Sequence, residues 1–372
     1  MKKIHRVILV DVVDSHTHKE EAIKNLEELK LLVETYQGID VVDIIQHRTR
    51  PDKSTFIGSG KAQELAKTIV EKRIDIVVIN AIVNPSVLFN LTQILWVNSP
   101  KIQVWDRIDL ILNIFDLHAH TTEAKLQIEI ARMQHMGPRM FGLGGTYFSR
   151  QGGGIGTKGI GETNIELMKR HWRDQIKIKK IELDKISRQH MTQLERRKNN
   201  NLTSVSIVGY TNAGKTSLFN LLTKKKKVVE NALFVTLDSV SGKVYLPVKK
   251  KEVIISDTIG FIRDLPSSLI DSFKSTLMES IHADIILHVI DISDPKMIEK
   301  IEIVEKILDE IKIKSKKIIY VFNKVDAHTG DGKKILNEVN NKYGYFSPQF
   351  ISVTTDFGIK KLISEIENNL QD

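Results

Sequence analysis

Gly209 and Gly214 enclose Tyr210-Thr211-Asn212-Ala213 and are followed by Lys215, Thr216 and Ser217, the pattern G-x-x-x-x-G-K-[ST]. Glycines at this spacing let backbone N–H groups curl around phosphate oxygens at the start of a helix. Lys215 then offers positive charge to the β and γ phosphates, and the Thr216 hydroxyl offers a ligand to Mg2+. The motif implies a nucleoside triphosphatase and leaves the base open.

Asp257-Thr258-Ile259-Gly260 stands about 40 residues further on, where a carboxylate at a strand end holds Mg2+ through water and the Gly260 N–H turns toward the γ phosphate. Asn323-Lys324-Val325-Asp326 selects the base. The Asp326 carboxylate would accept from guanine N1–H and the 2-amino group, and adenine would leave it buried without those donors. Three motifs in this order point to GTP and GDP. Thr236, in Phe234-Val235-Thr236-Leu237-Asp238, is the expected switch threonine, reaching Mg2+ only when the γ phosphate is present. The guanine-side loop is expected at Ser352-Val353-Thr354, with the Val353 N–H facing guanine O6 and a threonine where a lysine is usual. The residues expected to carry catalysis are Lys215, Thr236 and Gly260.

Each motif needs a strand to place it. Val205–Val208, Val253–Ser256 and Ile318–Phe322 are apolar, β-rich runs ending at the P-loop, at Asp257 and at Asn323. The chain is accordingly read as α/β, with three segments. In residues 1–115 the runs Val7–Val10, Val41–Ile45, Ile76–Ile79 and Ile102–Trp105 alternate with helical patterns at Glu20–Tyr36, Lys61–Lys72 and Pro85–Leu95, predicting a small parallel sheet. Residues 116–200 read as a long antiparallel helical hairpin. Its first helix is expected to stop at Gly137-Pro138, a glycine-rich tip loop to cover 140–163, and its second helix, about 50 Å long, to run from Asn164 to Lys198. Residues 201–372 read as a P-loop GTPase domain, a parallel-dominated sheet with helices on both faces.

The 372 residues carry a net charge of +9. Residues 116–202 hold 16 basic against 9 acidic side chains, while 1–115 are balanced at 15 each and 203–372 hold 24 against 22. A polyanion such as RNA would meet the hairpin first. The absence of cysteine excludes disulfides and thiolate metal sites. No apolar run approaches the ~20 residues of a membrane span, so a cytoplasmic protein is expected. Gly58-Ser59-Gly60-Lys61 imitates a phosphate loop, but Thr55 stands where its first glycine should be, and a turn capping a helix is the better reading.

The whole chain resembles HflX-type GTPases, which associate with ribosomes. The resemblance rests on Arg50-Pro51-Asp52 with Ile57-Gly58-Ser59-Gly60-Lys61, on the run from Ser149 to Thr163, on the P-loop with Asn212, on Leu233 to Asp238, and on Asp257 to Pro266. It implies a GTP hydrolase that binds the large ribosomal subunit and its rRNA and separates stalled or idle ribosomes; a monomer is expected. The hairpin tip would then point at the peptidyl-transferase centre, with Arg139, Arg150 and Lys158 as rRNA contacts. A GTP-gated binding or assembly factor that needs no hydrolysis is the second reading. Phe261 stands where many GTPases hold a water-orienting glutamine, as is usual in this family, so slow intrinsic hydrolysis stimulated by the ribosome is expected. Asn212 occupies the position at which some related GTPases help bind a potassium ion beside the phosphates.

Overall fold

The computed structural model describes residues 4–14, 19–36, 38–48, 50–151, 158–200, 202–225, 234, 240–263, 269–270, 277–311, 313, 317–327, 337, 339 and 341–370. It divides into two compact units, Met1–Leu117 with Leu126–Glu182, and His118–Lys125 with Leu183–Asp372. The division falls within the hairpin helices.

In the first unit, β1 (His5–Val13), β2 (Ile39–Arg48), β3 (Ile76–Ile79) and β4 (Gln103–Trp105) form a fully parallel sheet in the order β2-β1-β3-β4. Helices α1 (Lys19–Thr35), α2 (Ser59–Glu71) and α3 (Pro85–Trp96) are its crossovers. The apolar runs of β1 and β3 are wholly buried, as strands covered on both faces must be. Gly58 (φ 84°) precedes α2, so the imitation phosphate loop is a helix entry. A helix the sequence reading missed, α4 (Arg107–His118), follows β4 and is buried nearly all round. Its apolar arc is broad, and Asp109, Asn113 and Asp116, at i, i+4 and i+7, mark only a narrow polar face.

Helix α5 (Thr122–Gln151) corrects the expected stop at Gly137-Pro138, because Pro138 lies inside it. A proline there removes one i→i−4 bond without ending the helix if a neighbour compensates. Nearby, the Trp172 indole N–H donates to Met133 O at 2.8 Å and its ring meets Phe141 edge-on. Trp172 belongs to α6 (Lys158–Asn199), and the Lys179–Glu129 ion pair at 2.7 Å fixes the antiparallel sense. The expected 140–163 loop is therefore helical through Gln151 and again from Lys158, with 152–157 outside the described residues.

In the second unit, β5 (Ser204–Gly209), β6 (Val240–Leu246), β7 (Lys251–Asp257), β8 (Ile285–Asp291), β9 (Lys317–Asn323) and β10 (Gln349–Phe350) take the order β10-β9-β8-β5-β7-β6. Only β6 runs antiparallel, joined to β7 by a turn over residues 247–250. Alternation along β9 fills both faces: Ile319 and Val321 pack with α7 (Lys215–Thr223) and α10 (Ile359–Asn368), while Tyr320 and Phe322 pack with α9 (Met297–Glu310). A short helix, α8 (Met278–His282), leads into β8.

Candidate functional site

The P-loop leaves β5 at Gly209 and enters α7 at Lys215. A Cβ on Gly209 would lie 2.2 Å from Val289 O, and one on Gly214 (φ 94°) 2.3 Å from Asn323 Nδ2, so neighbouring elements dictate both glycines. Lys215 is 7% exposed and donates to Tyr210 O at 2.7 Å. Burial lowers its pKa to about 8, and Asp257 opposes that shift. Thr216 Oγ1 donates to Asp257 Oδ2 at 2.9 Å, which brings a hydroxyl and a fully buried carboxylate together beside the P-loop helix. These are hard oxygen donors of the kind Mg2+ takes.

The D-x-x-G segment lies directly on the P-loop. Phe261 N donates to Gly209 O at 3.1 Å, and Thr211 N donates to Phe261 O at 2.8 Å. A Cβ on Gly260 would meet Thr211 Cγ2 at 2.7 Å and Lys215 Nζ at 2.9 Å, so only glycine fits against the lysine. The Phe261 side chain is 1% exposed and turned into the core. Thr236 lies outside the described residues.

The base motif is fastened to the same loop. Asn323 Nδ2 donates to Ala213 O at 3.0 Å, and Lys324 Nζ donates to Asn212 O at 2.9 Å and pairs with Asp291 at 2.6 Å. Asn212 and Lys324 both adopt positive φ, 62° and 64°. The Val353 N–H donates to Asn323 Oδ1 at 3.2 Å, and the Ser352 hydroxyl accepts from Thr355 N at 3.1 Å, tying the guanine-side loop to the motif. Asp326 and Thr354 are exposed. Sequence reasoning missed Asp291, whose only signal was its place at the end of an apolar strand. It also missed the Tyr210 hydroxyl, which accepts from Arg263 N at 2.8 Å.

The expected rRNA contact at Arg139 is corrected. Its side chain is 13% exposed and donates to Asp106 at 2.9 Å and to Asp109 at 2.5 Å. Burial first, then Asp106, pushes the Asp109 carboxyl up. Burial also raises Asp106, but His135 and Arg139 outweigh it and hold that group below its usual value. Among the described residues, Asp106, Asp109 and His135 form the one group close enough to ligate a metal, and the Arg139 guanidinium already fills the cation's role. The side chains of Arg150 and Lys158 lie outside what the structure describes. No helix among the described residues is long and apolar enough to cross a membrane.

Comparison with known proteins matches this architecture. Residues 204–324 fit the family described as 50S ribosome-binding GTPase, 118–197 the GTP-binding GTPase middle region, and 23–116 the GTP-binding GTPase N-terminal region. GTPase HflX of Caldanaerobacter subterraneus subsp. tengcongensis is 39% identical over 98% of this chain and 80% of its own length. GTPase HflX of Escherichia coli (strain K12) is 33% identical over 95% and 80%, and that of Methanocaldococcus jannaschii 36% over 92% and 83%. Among solved structures, SsGBP in complex with GDP aligns with TM-score 0.55 and 28% identity over 98% of each chain. A GTP-binding protein from Sulfolobus solfataricus, also with GDP, gives 0.51 and 26% over 98% of each. The chain belongs to the HflX family of GTPases and is a GTP hydrolase.

Proposed function

We propose that this GTPase binds the large ribosomal subunit and uses its nucleotide cycle to separate stalled or idle ribosomes. The observation that carries this reading is the helical hairpin of α5 and α6, in the segment that holds most of the chain's excess positive charge. Along α6 the side chains of Lys169, Arg170, Arg173, Lys177 and Lys180 are exposed, a surface suited to RNA phosphates. Arg150 and Lys158, at the facing ends of the two helices, would meet rRNA. The description of the family matched by residues 204–324, a 50S ribosome-binding GTPase, supports the same partner. The protein would act as a cytoplasmic monomer.

Thr216 and Asp257, joined by Thr236 in the GTP state, would hold Mg2+, which neutralises charge on the β and γ phosphates. Lys215 would bind those phosphates, and the Gly260 N–H would face the γ phosphate. The backbone from Tyr210 to Ser217 would cradle the nucleotide, and Asp326, with Asn323, Lys324 and the Ser352-Val353-Thr354 loop, would hold guanine. Asn212 would help bind potassium there, and equal hydrolysis rates in potassium and sodium buffers would remove that role.

The test is GTP hydrolysis by the purified chain, alone and with large ribosomal subunits, in potassium buffer. A low basal rate that rises with subunits and falls in Arg150→Ala and Lys158→Ala supports the proposal. Failure to co-sediment in any nucleotide state sinks it. The burial of Phe261, which leaves no water-orienting side chain at that position, favours the second reading, a GTP-gated binding or assembly factor. A non-hydrolysable analogue that sustains repeated rounds of subunit separation would decide for that factor.

A further inference from the structure

Tyr210, the second residue of the P-loop, is 6% exposed, although P-loop chemistry asks only for its backbone. Its side chain is held from two directions. Lys300 Nζ lies 4.7 Å from the ring centre, itself paired with Asp294, and the hydroxyl accepts the backbone N–H of Arg263 at 2.8 Å. The residues between are bound to the same loop, since Tyr210 bridges Phe261 in parallel through the bonds to Gly209 and Thr211. The three residues after Gly260 are thus fixed to the phosphate loop at both ends, by backbone at Phe261 and by a phenol at Arg263.

We infer that Tyr210 is a positioning residue for GTP recognition, whose hydroxyl holds residues 261–263 on the P-loop and so sets where the Gly260 N–H points. Gly260 has no side chain of its own to steer it, and Lys215 Nζ and Thr211 occupy the space a Cβ there would need. Its amide direction is therefore decided by what anchors the chain on either side. On the N-terminal side that is β7, with Thr258 Oγ1 donating to Ile207 O at 2.7 Å. On the C-terminal side it is the Tyr210 clamp. A group that orients a γ-phosphate donor favours GTP over GDP, because GDP lacks the phosphate being read. The same orientation serves hydrolysis, where charge grows on that phosphate.

Tyr210→Phe in the full chain tests this, since it keeps the ring under Lys300 and removes the hydroxyl that accepts the Arg263 N–H. Affinities for GDP and for a non-hydrolysable GTP analogue are measured by fluorescent-nucleotide titration, with the rate of GTP hydrolysis alongside. The expected result is GDP affinity within twofold of the parent, an analogue-to-GDP preference reduced about five- to tenfold, the size of one lost hydrogen bond, and a kcat reduced at least as much. Equal loss for both nucleotides, or no change in preference, would overturn the assignment. Tyr210→Ala supplies the control for packing. If it weakens both nucleotides alike while Tyr210→Phe behaves as the parent, the tyrosine is only a filler and the inference fails.

Discussion

Lys215 is the residue on which burial acts most directly. With its pKa lowered to about 8, part of the lysine is neutral in mildly alkaline solution, and bound phosphates restore its charge. The free state then binds fewer protons than the bound state between about pH 8 and the ordinary lysine value of 10.5. Nucleotide binding at pH 8.5 is expected to take up protons, seen by calorimetry in buffers of different ionisation heat, and affinity should fall as pH rises through that window. Identical heats in all buffers would contradict this. Phe261 makes a complementary case. Its side chain is in the core, so Phe261→Gln should not restore a water-orienting group. It would bury an amide in place of a ring, costing roughly 2–4 kcal/mol of stability with no gain in hydrolysis rate. A faster variant of unchanged melting temperature would refute this.

At the scale of elements, the base of α6 meets the nucleotide sheet through Glu279 of α8. That carboxylate is 6% exposed and accepts from Ser241 of β6 at 2.9 Å, with Arg197 at 3.5 Å and His190 at 3.7 Å. The Glu279 carboxylate facing it raises the His190 pKa against the opposing effect of burial. A folded pKa above the unfolded value of 6.5 stabilises the fold fully below that value, and the gain disappears as pH rises through the folded pKa. Glu279→Gln should therefore lower the melting temperature more at pH 6 than at pH 9, and a loss independent of pH would exclude the His190 pairing. Trp172 is the corresponding element-scale contact in the other unit. Trp172→Phe removes its bond to Met133 O beside Pro138 and should cost about 0.5–1.5 kcal/mol in denaturant titration.

For the whole molecule, the uneven charge makes a prediction about association. If the hairpin meets rRNA phosphates, co-sedimentation with large subunits should weaken steeply between 50 and 200 mM salt, by a factor on the order of 10³ if about six phosphates are neutralised. Binding insensitive to salt would speak against an RNA surface. The sequence by itself determined the nucleotide chemistry, the order of the segments and most of the strands. P-loop, D-x-x-G and N-K-x-D each act through residues a few positions apart, and a glycine or lysine in such a motif does the same work wherever the fold repeats it. What tertiary structure decided are contacts whose partners lie far apart in the chain. Arg139 reads as a free cation until Asp106 and Asp109 are packed against it, and Pro138 reads as a stop although α5 runs through it. Tyr210 reads as a P-loop residue acting through its backbone alone until Arg263 folds back onto its hydroxyl. Burial and pairing are properties of neighbours in space, and spacing along the chain does not encode them.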